Sequence, residues 1–272
     1  MRTRTVRGIA PALCAVVPTC RRPVLLRRAL ASIAGQEIAP AEVIVVDDSG
    51  SDLETTRAIA AAADLPRVRV VANPRTRGVS GARNAGAALA RGPLLAFLDD
   101  DDEWLPSFVA EALACLRRDR LDLVCAGFVN RLPDGRERPG KRAPRSLQTR
   151  AFLVRNGGLR GSNLLIRREL FAAVGGFDES LPALNDNDLG VRLSLEPGLR
   201  YGAVDRPLVR YHVHGGARLS TPRSPARSAG VRRFYELHAQ RMGASGRRAF
   251  RAHVLRIWGV DEHGRPEGGT AP

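Results

Sequence analysis

The chain has 272 residues, of which 44% are hydrophobic and 26% are charged, so it has ample material for a globular core and is not typical of a disordered protein. Its length suits one large domain, or one domain with an appendage. The formal net charge of +15 comes almost entirely from arginine, since Lys141 is the only lysine. This excess favours anionic partners such as phosphates, nucleic acid or an acidic membrane surface.

Strand-like and helix-like segments alternate in the first half of the chain. The predicted strands cover 12–18, 42–48, 67–73, 92–100 and 121–129, and the predicted helices cover 23–36, 51–63, 78–90 and 106–118. This rhythm indicates an α/β fold with a Rossmann-like, mostly parallel central sheet flanked by helices.

The second half of the chain is less regular. Residues 131–150 are polar, basic and rich in Pro and Gly, which predicts a long loop. After this loop we expect a short strand, a helix and a Gly-Gly turn, then a helix at 185–198 and two short strand-like pieces within 201–216. The arginine-rich remainder is predicted to be a C-terminal arm, which either folds back as helices or reaches a partner chain in a homo-oligomer.

Cysteine usage and hydropathy bear on the compartment. The four cysteines, Cys14, Cys20, Cys115 and Cys125, form no CxxC pair, which is typical of free thiols in a reducing cytosol. No stretch approaches the roughly 18 consecutive apolar residues that a spanning helix needs. We therefore expect a cytoplasmic protein without a transmembrane segment, and peripheral association with a membrane stays open.

Four consecutive carboxylates, Asp99–Asp102, follow the predicted strand at 92–100, in the segment FLDDDDEW. In open parallel sheets, ligands bind outside the carboxyl ends of the strands, and this rule places the acid run at the same edge as Pro18, Thr19 and Asp48. Divalent cations such as Mg²⁺ and Mn²⁺ prefer oxygen ligands, so the run is interpreted as a metal site. The alternative is a charged turn that caps the next helix.

Six segments in order, VVPTCRR, VIVVDDSGSD, NPRTRGVSGARNAG, FLDDDDEW, GGFDES and NDNDLGVRL, resemble the family 2 glycosyltransferases with the GT-A fold. The resemblance covers residues 12 to about 214. It implies an inverting enzyme that moves a sugar from a nucleotide diphosphate, of the UDP, dTDP or GDP type, to an unidentified acceptor. It also implies a nucleotide-sugar-binding half at 10–130, an acceptor-side half of the same domain at 131–214, and the arm at 215–272.

The resemblance assigns donor-binding roles residue by residue. Pro18 and Thr19 would line the nucleotide pocket, and Asp48 would accept a hydrogen bond from a uridine-type base. Here the family's Asp-Asp-Gly-Ser is written Asp-Asp-Ser-Gly. Arg83 would lie against the nucleotide and its acidic motif, and Asp100 would contact the ribose or the sugar.

The resemblance also implies a metal site, in which Asp101 is the direct ligand, Asp99 belongs to the same motif, and His214 matches the family's Tyr-x-x-His position. Asp102 is expected only to shape the turn. A divalent cation, Mn²⁺ or Mg²⁺, suits this chemistry because the departing nucleotide leaves negative charge on its β-phosphate.

On the acceptor side, a carboxylate is needed to take the proton from the attacking hydroxyl or amine. Asp186 matches the family's general base, and Asn185 replaces the Glu that usually precedes it; the alternative for Asp186 is a helix cap. Asp188 is interpreted as structural or acceptor-facing. Trp104 could stack on a sugar ring or anchor the acid loop from below.

Two other functions remain open from the sequence. A sugar nucleotidyltransferase would also use carboxylates and Mg²⁺, but it would be expected to carry a Gly-rich basic loop after the first strand, and PTCRRP contains no Gly. A nucleic-acid-binding protein would explain the charge. However, aromatic residues make up only 5% of the chain, which is few for a surface that stacks bases, so nucleic acid is a less favoured partner.

Overall fold

A computed structural model describes residues 8–213 and 224–266, with side chains described from Leu13 onward. The strands are β1 (Gly8–Thr19), β2 (Ile38–Asp47), β3 (Val68–Ala72), β4 (Leu94–Phe97), β5 (Asp102–Trp104), β6 (Leu123–Arg131), β7 (Glu137–Pro139), β8 (Leu164–Arg167) and β9 (Tyr201–His212). The helices are α1 (Pro23–Ala34), α2 (Leu53–Ala61), α3 (Val79–Leu89), α4 (Phe108–Arg118), α5 (Thr149–Val154), α6 (Arg168–Ala173), α7 (Asn185–Ser194) and α8 (Pro225–Trp258). A 3₁₀ turn covers Gly161–Asn163.

The described strands form one sheet in the order β3-β2-β1-β4-β8-β6-β9-β5, with β7 paired to β6. Strands β1 to β4 are parallel to one another. Strand β8 is antiparallel to both β4 and β6, so β6 runs in the direction of β4, and β9 is parallel to β6. Six strands therefore point the same way, as the predicted mostly parallel sheet requires.

Alternating side chains of the strands pack on opposite faces of the sheet, as the period of two requires. In β1, Cys14 and Val16 join a core cluster with α3 and α5 to α8, whereas Leu13, Ala15 and Val17 join a second cluster with α1 and α4. Helix α1 shows the complementary spacing, since Leu26, Ala29, Leu30 and Ile33 are its buried residues.

Helix α3 lies unusually close to the sheet, as its small residues predict. A Cβ atom built on Gly86 would lie only 2.3 Å from Cγ1 of Val16 and 3.2 Å from Cγ2 of Val46. The absence of a side chain at this position thus allows the helix backbone to rest directly on β1 and β2. This contact sets the distance of α3 from the sheet, and so it also positions Arg83 of the same helix, which belongs to the candidate site.

The structure corrects the sequence prediction in three places. Residues 131–150, which the sequence predicts to be a loop, include β7, and this strand pairs antiparallel with the end of β6. The acid run does not end in a loop, because Asp102–Trp104 forms β5, which pairs antiparallel with β9. The two short pieces predicted within 201–216 are one strand of 12 residues. The exposed residues at 205–207 interrupt its apolar pattern, and the register with β6 shifts near Gly127, so the sequence alone suggested a break.

The described part of the C-terminal arm is mainly α8, which consists of two helical segments separated by a kink at Gly243, where the backbone is non-helical. It packs against α5, and a Cβ atom on Gly230 would lie 2.7 Å from Cβ of Ala183, just before α7. Among the helices of the described residues, none combines the length and the hydropathy that a membrane crossing requires. All four cysteines are free, as predicted, and all except Cys20 are buried.

Candidate active site

The acid run lies where β4 leaves the sheet, and arginines from two helical segments surround it. Arg83 of α3 donates two hydrogen bonds from Nη2 to Asp99, at 2.6 and 2.9 Å. Arg22, just before α1, lies 3.1 Å from Asp100 and 3.6 Å from Asp101. These guanidinium groups offset the repulsion between adjacent carboxylates, which is how a strongly basic chain accommodates the acid run.

Asp102 is part of the cluster rather than only a turn residue. It is 3% exposed, and Oγ of Ser162 donates a 2.7 Å hydrogen bond to its Oδ2. Its Oδ1 is buried and has no hydrogen-bond partner. Burial, together with the negative charges of Asp101 and Asp99, raises the pKa of Asp102 well above its usual value. A buried carboxylate with an unused oxygen is a group that a cation would stabilise.

The residues present fit a divalent cation. Carboxylate oxygens of Asp99, Asp101 and Asp102 lie within 4.8 Å of one another, and a set made only of oxygens suits Mg²⁺ or Mn²⁺. Two of these residues, Asp99 and Asp101, are among those expected from the sequence, and Asp102 is an addition. His214 lies outside the described residues.

The predicted nucleotide-binding residues gather at the carboxyl ends of β1 and β2. Pro18 and Thr19 are buried at the end of β1, and Oγ1 of Thr19 donates a 2.8 Å hydrogen bond to Asp100. Burial raises the pKa of Asp100 to about 6, against the opposing charge of Arg22. Asp48, after β2, accepts hydrogen bonds from Nδ2 of Asn73 (2.6 Å) and from the backbone N–H of Gly78 (2.8 Å).

Asp186 lies in the first turn of α7 and faces the acid run across Arg83. Its Oδ1 accepts a 3.1 Å hydrogen bond from the backbone N–H of Gly161 and lies 3.4 Å from Nη1 of Arg83. The same guanidinium therefore contacts Asp99 and Asp186, two carboxylates that are far apart in sequence. Burial raises the pKa of Asp186, and the positive charge of Arg83 opposes this shift.

The other predicted acceptor-side residues are engaged inside the protein. Trp104 is 2% exposed, stacks on Phe108 with ring centroids 4.5 Å apart, and donates from Nε1 to the backbone oxygen of Ser162 at 2.9 Å. Its ring cannot contact a sugar there, so it is the anchor below the acid loop, and the acceptor-side prediction for Trp104 is corrected.

Asn185 and Asp188 are also buried within α7. Asn185 donates a 3.1 Å hydrogen bond to Oγ of Ser80 on α3. Asp188 accepts hydrogen bonds from Nε2 of His238 (2.9 Å) and from Nη2 of Arg192 (2.6 Å). Asp188 thus joins α7 to α8 rather than facing an acceptor, because its neighbours on both elements already occupy both of its oxygens.

The 3₁₀ turn Gly161–Asn163 is the part of the site that sequence reasoning missed. Gly161 contacts Asp186, while Ser162 contacts the acid run both through Asp102 and by accepting a 3.1 Å hydrogen bond from the N–H of Asp99. A Cβ atom on Gly161 would lie 2.3 Å from Nη2 of Arg83, so glycine is required for this approach. A Gly-Ser-Asn triplet directly before a short strand was the available signal.

The family model described as "Glycosyl transferase family 2" matches residues 14–175, which is more than half of the chain. The chain belongs to glycosyl transferase family 2. The matched region includes the ends of β1 and β2, the acid run and the turn at Gly161–Asn163, and it stops before Asp186. This match confirms the family that the ordered segments resemble, and the first four of the six segments lie within it.

Two relatives carry names from colanic acid and O-antigen biosynthesis. WcaA of Escherichia coli (strain K12), whose name describes a glycosyl transferase of colanic acid biosynthesis, is 27% identical over 252 residues, which cover 88% of this chain and 85% of the relative. The O-antigen biosynthesis protein RfbC of Myxococcus xanthus is 32% identical over 228 residues, or 81% of this chain, but the match spans only 17% of that much longer protein.

Solved structures show the same fold. Residues 1–349 of TarS from S. aureus, crystallised in complex with UDP-GlcNAc, superpose with a TM-score of 0.64 at 19% sequence identity, over 90% of this chain and 72% of that one. The complex of the same protein with UDP gives a TM-score of 0.61. The expected GT-A fold is thereby confirmed for this member of the family.

Proposed function

We propose that this protein is an inverting, metal-dependent glycosyltransferase of the hexosyltransferase type, which uses a UDP-sugar as donor and a hydroxyl or amine as acceptor. The observation that supports the proposal most directly is the contact of one buried guanidinium, that of Arg83, with both Asp99 and Asp186. It brings a cluster suited to a diphosphate within reach of a carboxylate suited to proton transfer. Its place of action in the cytoplasm stays a prediction.

On the donor side, Asp99, Asp101 and Asp102 would hold a divalent cation, which supplies neutralising charge for the diphosphate when bound. Arg22 and Arg83 hold the acid run in place. Thr19 and Arg22 fix Asp100 at the carboxyl end of β1, where the sugar or ribose of a donor is expected. A fixed arrangement of this kind does not need to reorganise as charge develops on the leaving group.

On the acceptor side, Asp186 would accept the proton of the attacking group. In this single displacement the bond from the acceptor oxygen or nitrogen to the anomeric carbon forms as the bond from that carbon to the diphosphate oxygen breaks, which inverts the configuration. Burial raises the pKa of Asp186, and a base with a raised pKa is better matched to proton transfer near neutral pH.

Family membership favours this function over the sugar nucleotidyltransferase and the nucleic-acid-binding protein. The two TarS complexes contain uridine nucleotides, which supports UDP over dTDP or GDP as the nucleotide of the donor. The hydrogen bonds to Asp48 from Asn73 and Gly78 use one lone pair on each carboxylate oxygen, so both oxygens keep acceptor capacity for a base.

The test is thermal unfolding with UDP, dTDP, GDP and CDP, each with and without Mn²⁺. We expect UDP with Mn²⁺ to raise the melting temperature by several degrees, because a ligand that binds only the folded state stabilises it by mass action. Asp101→Ala should abolish this rise. The matched control is Asp134→Ala, which removes an exposed carboxylate bonded to Arg136.

No shift with any nucleotide, with or without metal, would contradict the proposal. A shift of equal size in Asp101→Ala would contradict the assignment of the metal site while leaving nucleotide binding intact. A metal-dependent shift with dTDP or GDP instead of UDP would keep the reaction and change the donor.

A further inference from the structure

Two arginines close to Asp186 have no carboxylate hydrogen-bonded to their guanidinium groups among the described residues. Arg160 directly precedes Gly161, whose N–H contacts Asp186. Its guanidinium carbon lies 4.6 Å from the ring centroid of Tyr211 and 5.2 Å from that of Phe128. These aromatic contacts orient the group without neutralising its charge.

Arg227 approaches the same region from the C-terminal arm. It lies in the first turn of α8, is only 7% exposed, and its buried Nε has no hydrogen-bond partner. Its guanidinium carbon lies 4.5 Å from the ring centroid of Trp258, in the second helical segment of α8, which folds back after the kink at Gly243. The close packing of Gly230 on Ala183 holds this turn of α8 against the segment that leads into α7 and Asp186.

Burying a guanidinium without an anionic partner is costly, and buried charges in proteins are normally paired. The other arginines of the site obey this rule, since Arg22 and Arg83 are both paired with aspartates. Arg227 remains charged at neutral pH although burial lowers its pKa, and the attraction of Asp186 opposes that shift. Asp186 is already bonded to Arg83 and Gly161, so the two further cations exceed what this carboxylate needs.

We propose that Arg160 and Arg227 form an anion subsite on the acceptor side, which binds a phosphate or carboxylate group of the acceptor beside the hydroxyl or amine that Asp186 activates. This inference rests on the proposed function and adds to it the chemical class of the acceptor. The diphosphate of the donor is the other possible source of the same chemistry. Arg227 favours the acceptor, because it reaches the site from the arm and its carboxylate neighbour is Asp186 rather than the acid run.

The experiment uses the full chain saturated with UDP and Mg²⁺, so that the donor site is filled. Glycerol 1-phosphate and glucuronate are titrated by calorimetry, and glycerol and glucose serve as their uncharged counterparts. We expect each charged probe to bind at least about 10-fold more tightly than its neutral counterpart, in line with a charge-assisted contact. Arg160→Gln and Arg227→Gln should each remove about 10-fold of this preference.

Arg232→Gln is the matched control, because Arg232 is an exposed arginine on the same helix, and it should leave the preference unchanged. Arg227→Lys keeps a charge at the end of a long side chain and should retain part of the preference. If Arg227→Gln fails to fold, Arg160→Gln and Arg227→Lys still decide the matter.

Equal affinity of the wild type for charged and neutral probes would overturn the anion subsite while UDP binding still supported the proposed function. A loss of UDP affinity in both glutamine variants, with the probes unaffected, would assign the two arginines to the donor diphosphate and would also overturn it. A wild type that binds none of UDP, dTDP, GDP and CDP would instead overturn the proposed function, and the subsite with it.

Discussion

Arg83 determines the electrostatics of the candidate site. It is 2% exposed, forms two hydrogen bonds to Asp99, lies 3.4 Å from Asp186, and its guanidinium carbon is 4.7 Å from the ring centroid of Phe177. A planar guanidinium holds its donors in a rigid fork and can bind two carboxylates in fixed directions, whereas the three donors of an ammonium group rotate about a flexible side chain. The position of this one side chain therefore couples the charge of the acid run to that of the candidate base.

The pH dependence of turnover should report this coupling. A general base must be ionised, so kcat should rise with pH through the pKa of Asp186, which burial raises from its ordinary value. Arg83→Gln removes the opposing positive charge, so the acidic limb should move to higher pH, whereas Arg83→Lys should keep it nearer the wild-type position. The measurement is kcat against pH at saturating donor.

Asp186→Asn is the reference for that profile. Loss of a general base typically costs about 10²- to 10⁴-fold in rate, and the acidic limb should disappear with it. A wild-type limb that persists in Asp186→Asn would show that another group titrates, and the assignment of the base would then be wrong.

The sequence predicts some of these residues and not others, for physical reasons. The order of the motifs is enough to select Asp99, Asp101 and Asp186. It is not enough to select Asp102 or Ser162, because their burial depends on the pairing of β5 with β9 and on a turn that is distant in sequence. Trp104 was ambiguous because an aromatic residue after an acid run has the same sequence signature whether it faces a ligand or the core.

At the scale of elements, a buried polar cluster joins α7 to α8. Asp188 accepts hydrogen bonds from His238 and Arg192, and the side chains of Asp188 and His238 are 3% and 6% exposed. Burial pushes the pKa of Asp188 upward, but the hydrogen bonds from His238 and Arg192 outweigh it, so the pKa lies below its usual value. The cluster is what positions the arm against the candidate base.

We expect Asp188→Asn to lower the free energy of unfolding by roughly 3 kcal/mol at pH 7, since it leaves Arg192 and His238 without their anion. A depressed carboxylate pKa contributes stability above the unfolded-state value of about 3.9 and loses it as the pH falls through the folded-state value. The difference between variant and wild type should therefore shrink below about pH 4. Denaturant unfolding at several pH values measures it.

Asp134→Asn is the control for this prediction, because it removes an exposed carboxylate paired with Arg136, and it should change stability little. A difference for Asp188→Asn that stays constant down to pH 3 would mean that the effect comes from packing rather than from charge.

The contact of α3 with the sheet gives a second prediction at this scale. Gly86→Ala would place a methyl group 2.3 Å from Val16. Overpacking of this kind typically costs about 1–3 kcal/mol. The higher helix propensity of Ala offsets roughly 1 kcal/mol of that cost. We expect a lower unfolding midpoint and weaker UDP binding, since Arg83 would shift with the helix. Ala88→Ser, on the exposed face of α3, should change neither.

A Gly86→Ala variant with a higher midpoint and unchanged UDP binding would contradict the close approach. The small residues of 78–90 allowed this packing to be anticipated from the sequence. The depth of the approach depends on the register of β1 against β2, which local patterns do not determine.

For the molecule as a whole, the reactivity of the four cysteine thiols can show which part of the core becomes exposed during unfolding. Cys14 and Cys125 belong to one core cluster and Cys115 to the other, so the two faces of the sheet each carry a buried thiol, whereas Cys20 is exposed. Burial raises the pKa of Cys125 to about 12, and it also raises that of Cys14, which makes both poor nucleophiles in the folded state.

In the native protein we expect a maleimide to label Cys20 and to spare the other three thiols. As guanidinium chloride is added, the three buried thiols should become reactive at the same denaturant concentration, which should also be the concentration at which the helical circular dichroism is lost. The reason is that the described strands form one sheet, so both core clusters should unfold in a single transition. Mass spectrometry of the labelled peptides measures each site. Labelling of Cys115 at lower denaturant than Cys14 and Cys125 would show that the two faces open separately.

The interleaved strand order limits how such a protein can evolve. Strand β8, from the half of the chain that carries Asp186, lies between β4 and β6, and the predicted boundary at 130 and 131 falls within β6. A chain cut there would expose the edges that β8 and β9 normally cover, and exposed edges invite aggregation. Recombination at this boundary therefore keeps the sheet intact only where the incoming segment supplies strands equivalent to β8 and β9.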